Sequence, residues 1–263
     1  MGHHLHLAAG ENELPRFLNI KKLVRAALKN LFDGFEGLVE PNLFRLTFDA
    51  LDHAITAGFG KVKTGDPNWD FVQQLRKSAA WFAARKTYRQ RIDLAALLAD
   101  DKGKLRTWKQ FQEAAQPVAG AYNQTWLQVE YNTAVNSAYN ASRWKAFEAE
   151  VDVYPNLIYT PSRAATPRDE HKPFYHVVRP VDDDFWVHHF PPSEYNCMCG
   201  VEQTDDEVTD VPGKAPKAAP GLDHNVGKTG ELFSKTHPYS DSLTDKERKA
   251  IDEEGEKLMD DEQ

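Results

Sequence analysis

Between Asn123 and Ala149 the residues Leu127, Tyr131, Ala134, Ala138 and Ala141 recur at intervals of four, three, four and three, and Trp144 and Phe147 extend the row. That period puts one apolar stripe on one face of an α-helix; a strand, with its period of two, cannot bury it. Three alanines on the stripe leave little bulk between this helix and a neighbour, so the spacing predicts a central core helix closely approached by another. The chain upstream is written in the same period. Pro15 suits the first turn of a helix reaching to about Phe32, with Asp33-Gly34 as its stop. Pro41 opens a second helix, apolar at Leu43, Phe44, Leu46, Leu51 and Ile55 and closed by Gly58. Asp66-Pro67 signals a third, whose Phe71, Leu75, Ala79 and Phe82 share one face. Asp100-Asp101-Lys102-Gly103 interrupts it, and a shorter helix around Trp108 and Phe111 follows until Pro117 or Gly120.

Beyond residue 150 the pattern changes. Residues 151–160 turn β-branched and aromatic and read as a strand interrupted at Pro155, and Phe174 to Val181 reads as a second. Three prolines and two glycines within residues 211–222 mark a linker, and the chain from Thr244 can form one short, highly charged helix. The expected fold class is therefore α+β. An N-terminal segment, 1–12, is flexible; residues 13–150 form an extended helical region; residues 151–210 form a small His/Cys-containing module with short strands; residues 211–263 form a linker and acidic C-terminal tail. No internal repeat is present.

With 263 residues, 41% of them apolar, the chain can bury a substantial core. No run approaches the roughly 20 apolar residues that span a bilayer. The opening Met-Gly-His-His-Leu-His-Leu is short and polar for a secretory signal, and a cytosolic start is expected. The net charge of −8 is unevenly spread: residues 1–150 hold 20 Lys/Arg against 16 Asp/Glu, whereas residues 151–210 hold 4 against 12. The mild basicity of the helical half permits nucleic-acid contact without arguing for it.

Residues 168–199 gather four of the ten histidines and both cysteines. They follow the order Arg-x-x-His (Arg168, His171), Val-Asp-Asp-x-Phe-Trp (Val181 to Trp186), His-x-Pro-Pro (His189 to Pro192) and Cys-x-Cys (Cys197, Cys199). Upstream lies Trp-Leu-Gln-Val-Glu-Tyr-Asn-Thr-Ala-Val-Asn-Ser-Ala-Tyr-Asn-Ala-Ser-Arg-Trp, from Trp126 to Trp144. This ordered series resembles the phage Mu F-like head-morphogenesis (minor head protein) family over roughly Trp126 to Val201. Downstream, Asn225 to Gly230, Phe233 and His237-Pro238-Tyr239 resemble a tail found in versions from Bacteroidetes phages and prophages. Met198 stands where the family usually has arginine between the cysteines. Tyr175-His176 replaces a frequent turn ending in glycine, and Val226 replaces proline, which suggests altered turn geometry.

The resemblance implies a minor capsid protein in few copies at the portal vertex inside the virion, acting in head morphogenesis, DNA packaging or ejection. The portal protein is the implied partner, with the helical region as docking arm, and the major capsid or scaffold protein is a further one. Neither a membrane nor an enzymatic activity is implied. The alternative is a zinc-dependent nuclease or toxin-like enzyme acting on nucleic acid through His171, His188 and Asp183. A third reading is a DNA-binding packaging factor without catalysis.

As metal ligands the donor chemistry nominates His171, His189, Cys197 and Cys199, a Cys2His2 set for one structural zinc with no open position. His188 can replace His189, which is preferred because it occupies the His-x-Pro-Pro position. The other reading of the same residues is two buried cysteines and histidines that hydrogen-bond within the module. Asp182 to Asp184 read as a solvated acidic turn, and His176 as packed or solvated. Arg85, Lys86, Arg89 and Arg91 place positive charge on consecutive helical turns with Trp81 and Tyr88 nearby. They either track a phosphate backbone or form a solvated face. Gly227-Lys228-Thr229 lacks the glycine pattern and preceding strand of a phosphate-binding loop, and no nucleophile elbow or dinucleotide fingerprint occurs.

Overall fold

A computed structural model describes residues 13–213 and 217–261; the segment 1–12, expected to be flexible, lies outside the described residues. The first expected helix is split. A single 3-10 turn, Arg16–Leu18, is followed by Asn19 at φ 44°, and α1 runs only over Ile20–Phe32. Its stop is where Asp33-Gly34 predicts it, with Gly34 at φ 93°. Helix α2 covers Pro41–Phe59; the Glu40 carboxylate accepts from the Leu43 N–H at 2.9 Å, and Pro41 takes the first position, where no N–H is needed. It ends at Gly60 rather than Gly58. Helix α3 covers Trp69–Ala95, because Asp66 and Pro67 are spent on a turn in which the Trp69 N–H bonds to the Asp66 carbonyl.

Helix α4, Trp108–Gly120, begins with a reciprocal Thr107–Gln110 capping box. The α-helix ends at Gly120, the later of the two expected stops, but the chain does not leave the helical path there. Pro117 lies inside the helix, and the chain passes through a π turn, Ala121–Trp126, directly into α5, Leu127–Ala149. A proline deprives the carbonyl four residues back of its donor, and a wider turn beyond it lets the helical ladder resume in a new register.

The stripe of α5 is the centre of the molecule. Ala134, Ala138 and Ala141 are wholly buried. At Gly58 a Cβ would stand 2.2 Å from the Val135 carbonyl oxygen and 2.9 Å from the Ala138 Cβ, so α2 and α5 touch backbone to backbone. That is the close approach the alanines predict, and Gly58 serves it instead of ending its helix.

Three short strands follow, β1 at Asn156–Thr160, β2 at Val178–Pro180 and β3 at Gly200–Thr204, in an antiparallel sheet of order β2-β1-β3. Both expected strands shrink. Residues 151–153 are a turn ahead of Pro155, and Asp169–Phe174 coils as a 3-10 turn. His176 then holds φ 67°, the left-handed conformation that glycine adopts most readily. Strand β3 carries no sequence signal of its own and is held by pairing with β1, from Asn156↔Thr204 to Thr160↔Gly200. Helix α6 is a short piece, Phe185–His189.

The chain beyond residue 217 joins the same core through Leu222, Val226, Leu232, Phe233 and Ile251. A four-residue helix, α7 at Val226–Thr229, lies so close to α5 that a Cβ on Gly227 would fall 2.2 Å from that of Trp144. Helix α8, Asp245–Asp260, opens with a Thr244–Glu247 capping box and docks its acidic side. Asp252 takes Arg85 in a two-bond fork at 2.9 and 2.8 Å, and Glu254 accepts from the N–H groups of Leu38 and Val39. No helix among the described residues is long and apolar enough to cross a membrane.

Candidate metal centre

Two local structures bring the donors together. The 3-10 turn Asp169–Phe174 turns His171 inward, and the loop entering β3 turns both cysteines inward, leaving the three residues 3–4% exposed. His171 Nδ1 is 3.6 Å from Cys197 Sγ and 3.5 Å from Cys199 Sγ, and the three donor atoms all lie within 4.8 Å of one another. A tetrahedral zinc with Zn–S of about 2.3 Å and Zn–N of about 2.0 Å has N···S edges of about 3.5 Å. The donor set therefore fits that ion in both chemistry and spacing. The thiols are free, not bridged.

Helix α5 holds the cysteine loop from behind. Asn136 Nδ2 donates to the Cys197 carbonyl at 3.0 Å, and Thr133 Oγ1 accepts from the Asn196 N–H at 3.0 Å. Asn196 itself sits at φ 58°, which turns the chain into the cysteines. Met198, between them, uses its carbonyl to accept from the Arg163 N–H. On β1, Tyr159 is wholly buried, with its hydroxyl on the Cys199 side of the cluster.

The two thiols are unequal. The hydrogen bond from Cys197, then those from His171 and Tyr159 together with the His171 charge, pull Cys199 down to about 5 against the cost of burial. The same sulfur–sulfur hydrogen bond and burial push Cys197 well up. Two buried thiols pushed in opposite directions by one another suit a site where a cation takes the place of protons.

The structure does not bring the fourth expected ligand to this cluster. His189 closes α6, and its half-buried ring packs 4.9 Å from both the Phe174 and Phe185 centroids, where burial lowers its pKa. His188 points to solvent. Asp183, the acid of the nuclease reading, is held by Arg179 at 3.0 and 2.6 Å and accepts from the Phe185 N–H. Of His171, His188 and Asp183, only His171 belongs to the cluster. Asp183 is thus part of a paired turn, not a freely solvated acid.

The basic stripe also comes apart. Lys86 is 0% exposed and ion-pairs with Glu130, whose other oxygen accepts from the Tyr239 hydroxyl at 2.7 Å. Arg85 is committed to Asp252 and the Arg248 carbonyl, and Arg91 donates to the Leu38 carbonyl at 3.2 Å. Arg89 alone of the four is exposed. The helical spacing of these cations is as expected, but α5 covers Lys86 and α8 covers Arg85.

Sequence reasoning missed Asn136, Thr133 and Tyr159. The first two carried a signal, since they are polar residues within the most regular apolar stretch of the chain, and such residues stay buried only with partners.

The model of the family described as phage Mu protein F like protein matches residues 62–202, more than half of the chain. The chain belongs to that family. The match runs from the approach to α3 into β3 and takes in all three donors. A Mu F-like relative, the putative capsid assembly protein F of Escherichia phage Mu, is 35% identical over 71 residues. That alignment covers 27% of this chain and 16% of the relative. No solved structure matches.

Proposed function

We propose that this Mu F-like protein is a minor component of a phage head that acts in head morphogenesis at the portal vertex, and in packaging or ejecting DNA. The observation that carries the reading is the family match across residues 62–202, joined to the capsid-assembly role in the relative's name. Residues 13–150 serve as the arm that docks on the portal, and residues 151–210 as the head-morphogenesis module. The major capsid or scaffold protein is a secondary partner, and a weak contact with DNA would fall to Arg89, the exposed member of the four cations. The role is structural, not enzymatic.

Within this reading one zinc ion joins His171, Cys197 and Cys199. A three-stranded sheet with strands of three to five residues depends on packing against the helical core, through Leu157, Tyr159 and Val201. An ion linking the 3-10 turn to the entrance of β3 supplies the cross-link. Co-expression with the cognate portal tests the assembly role: the two proteins co-purify at moderate salt, and failure to do so overturns portal docking. Metal content by plasma mass spectrometry tests the ion: about one zinc per chain, lost in the Cys197→Ser/Cys199→Ser double variant.

A further inference from the structure

Three protein donors leave a tetrahedral ion one ligand short. Among the described residues no fourth His, Cys, Asp or Glu joins the cluster. What adjoins it is a cavity of about 340 Å³, walled by His171 and Cys197 themselves together with Ser162, Thr166, Arg168 and Asn196. Two of the ligands thus form part of the cavity wall, while behind them Asn136 and the core close the other side.

The wall has a definite chemistry. It carries two hydroxyls, one primary amide and one guanidinium, and no carboxylate. Arg168 is anchored by Glu194 at 3.2 Å and by the Tyr195 carbonyl at 2.8 Å, which uses two of its five N–H donors. A zinc bound to two thiolates and a neutral imidazole has no net charge left, and Glu194 already balances Arg168, so the free N–H donors of the guanidinium, not a net charge, favour an oxygen acceptor as the group that enters. A planar oxyanion fits both demands, with one oxygen on the metal and the other within reach of Arg168 and the hydroxyls.

We propose that the fourth coordination position of this centre opens into the cavity beside Arg168 and takes a small carboxylate from outside the chain. The inference rests on the metal reading above and deepens it: the ion is a docking point as well as a cross-link. The carboxylate comes either from a free small molecule or from an acidic side chain of a head partner, and the two sources share the same coordination.

The test uses the full chain loaded with Co²⁺, whose visible bands report coordination number and ligand type. The expected result is a sulfur-to-cobalt charge-transfer band with visible bands that azide and acetate shift saturably. Arg168→Gln weakens acetate about tenfold, the loss of one charge-assisted hydrogen bond, and leaves the charge-transfer band in place. If an N-acetyl-Gly-Asp-Gly amide shifts the bands as acetate does, a partner's side chain is admitted; if acetate alone acts, the ligand is a free small carboxylate. A cobalt spectrum that neither azide nor acetate moves overturns the open position and leaves the metal reading standing. If the shift appears only in Tyr159→Phe, the phenol is the fourth ligand and the inference falls. No cobalt spectrum at all overturns the metal reading and this inference together.

Discussion

Asn136, in the middle of α5, donates a buried hydrogen bond of 3.0 Å to the carbonyl of Cys197, sixty-one residues later in the chain. One turn earlier Thr133 takes the N–H of Asn196. The helical region and the His/Cys module are therefore joined at the candidate ligands themselves, and whatever displaces α5 displaces the donors of the candidate metal centre.

Replacing Asn136 with leucine keeps the branched shape, with bulkier branches, and leaves the Cys197 carbonyl unpaired in the core. The expected cost is about 1–3 kcal/mol of unfolding free energy, measured by urea denaturation. Zinc affinity falls by roughly ten- to a hundredfold, as for other outer partners of metal ligands, measured by competition with a chromophoric chelator. A variant that loses stability yet keeps full affinity would show that the loop is set by its own turn and not by α5.

The Lys86–Glu130 pair, buried between α3 and α5 and shared by Tyr239, predicts a strongly uneven mutant cycle. Burial holds the Lys86 pKa down, and Glu130 opposes that. Lys86→Met leaves a buried carboxylate uncompensated and costs about 3–5 kcal/mol. Adding Glu130→Gln restores much of it, because the stranded charge is gone. Equal losses in the single and double variants would contradict this account.

At Gly58 the added methyl of Gly58→Ala meets backbone, not a flexible side chain. Overpacking of this kind costs about 1–3 kcal/mol, and α2 must move away from α5 to admit it. Calorimetry on this variant beside Gly120→Ala, where a Cβ meets nothing within 4 Å, separates the contact from helix propensity.

His237 sits in the core against Phe82, Phe233 and Tyr239, and burial, with the Lys86 charge, pushes its pKa down to about 3 from 6.5. Between those values the unfolded chain binds a proton that the native protein refuses. Its contribution is complete above pH 6.5 and is lost as the pH falls toward 3, by up to about tenfold in the unfolding constant per pH unit. His237→Asn keeps an acceptor for the Tyr239 N–H and removes the titration. Its urea midpoint therefore falls less than that of the wild type between pH 6.5 and 4. Cys199 in metal-free protein acts in the same direction between 9 and about 5, so both proteins are compared at each pH with zinc present.

Chelation tests the cross-link. Removing the metal from the native protein lowers the melting temperature, and the Cys197→Ser/Cys199→Ser variant melts at the same temperature with or without chelator. An unchanged wild-type melting point would reduce His171 and the two cysteines to packing and hydrogen bonding.

Much of this protein is local and could be read along the chain. The stripe of α5, the caps at Glu40 and Thr244 and the stop at Gly34 depend on residues within a turn or two of one another, so spacing and side-chain type determine them. The three donors were also legible, because few chemistries besides a soft metal site bring Cys-x-Cys and histidine within thirty residues.

Only the tertiary structure decided which face of each element meets another. His189 has the right chemistry and spacing for a ligand, but the aromatic packing of Phe174 and Phe185 claims its ring. Lys86 has the spacing of an exposed cation, but Glu130 lies opposite it on a helix, forty-four residues away. Strand β3 exists because β1 offers it an edge, and Gly58 lies within its helix because α5 presses against it. Each of these outcomes depends on a free-energy difference between burial with a partner and exposure to water, and the partner is distant in sequence.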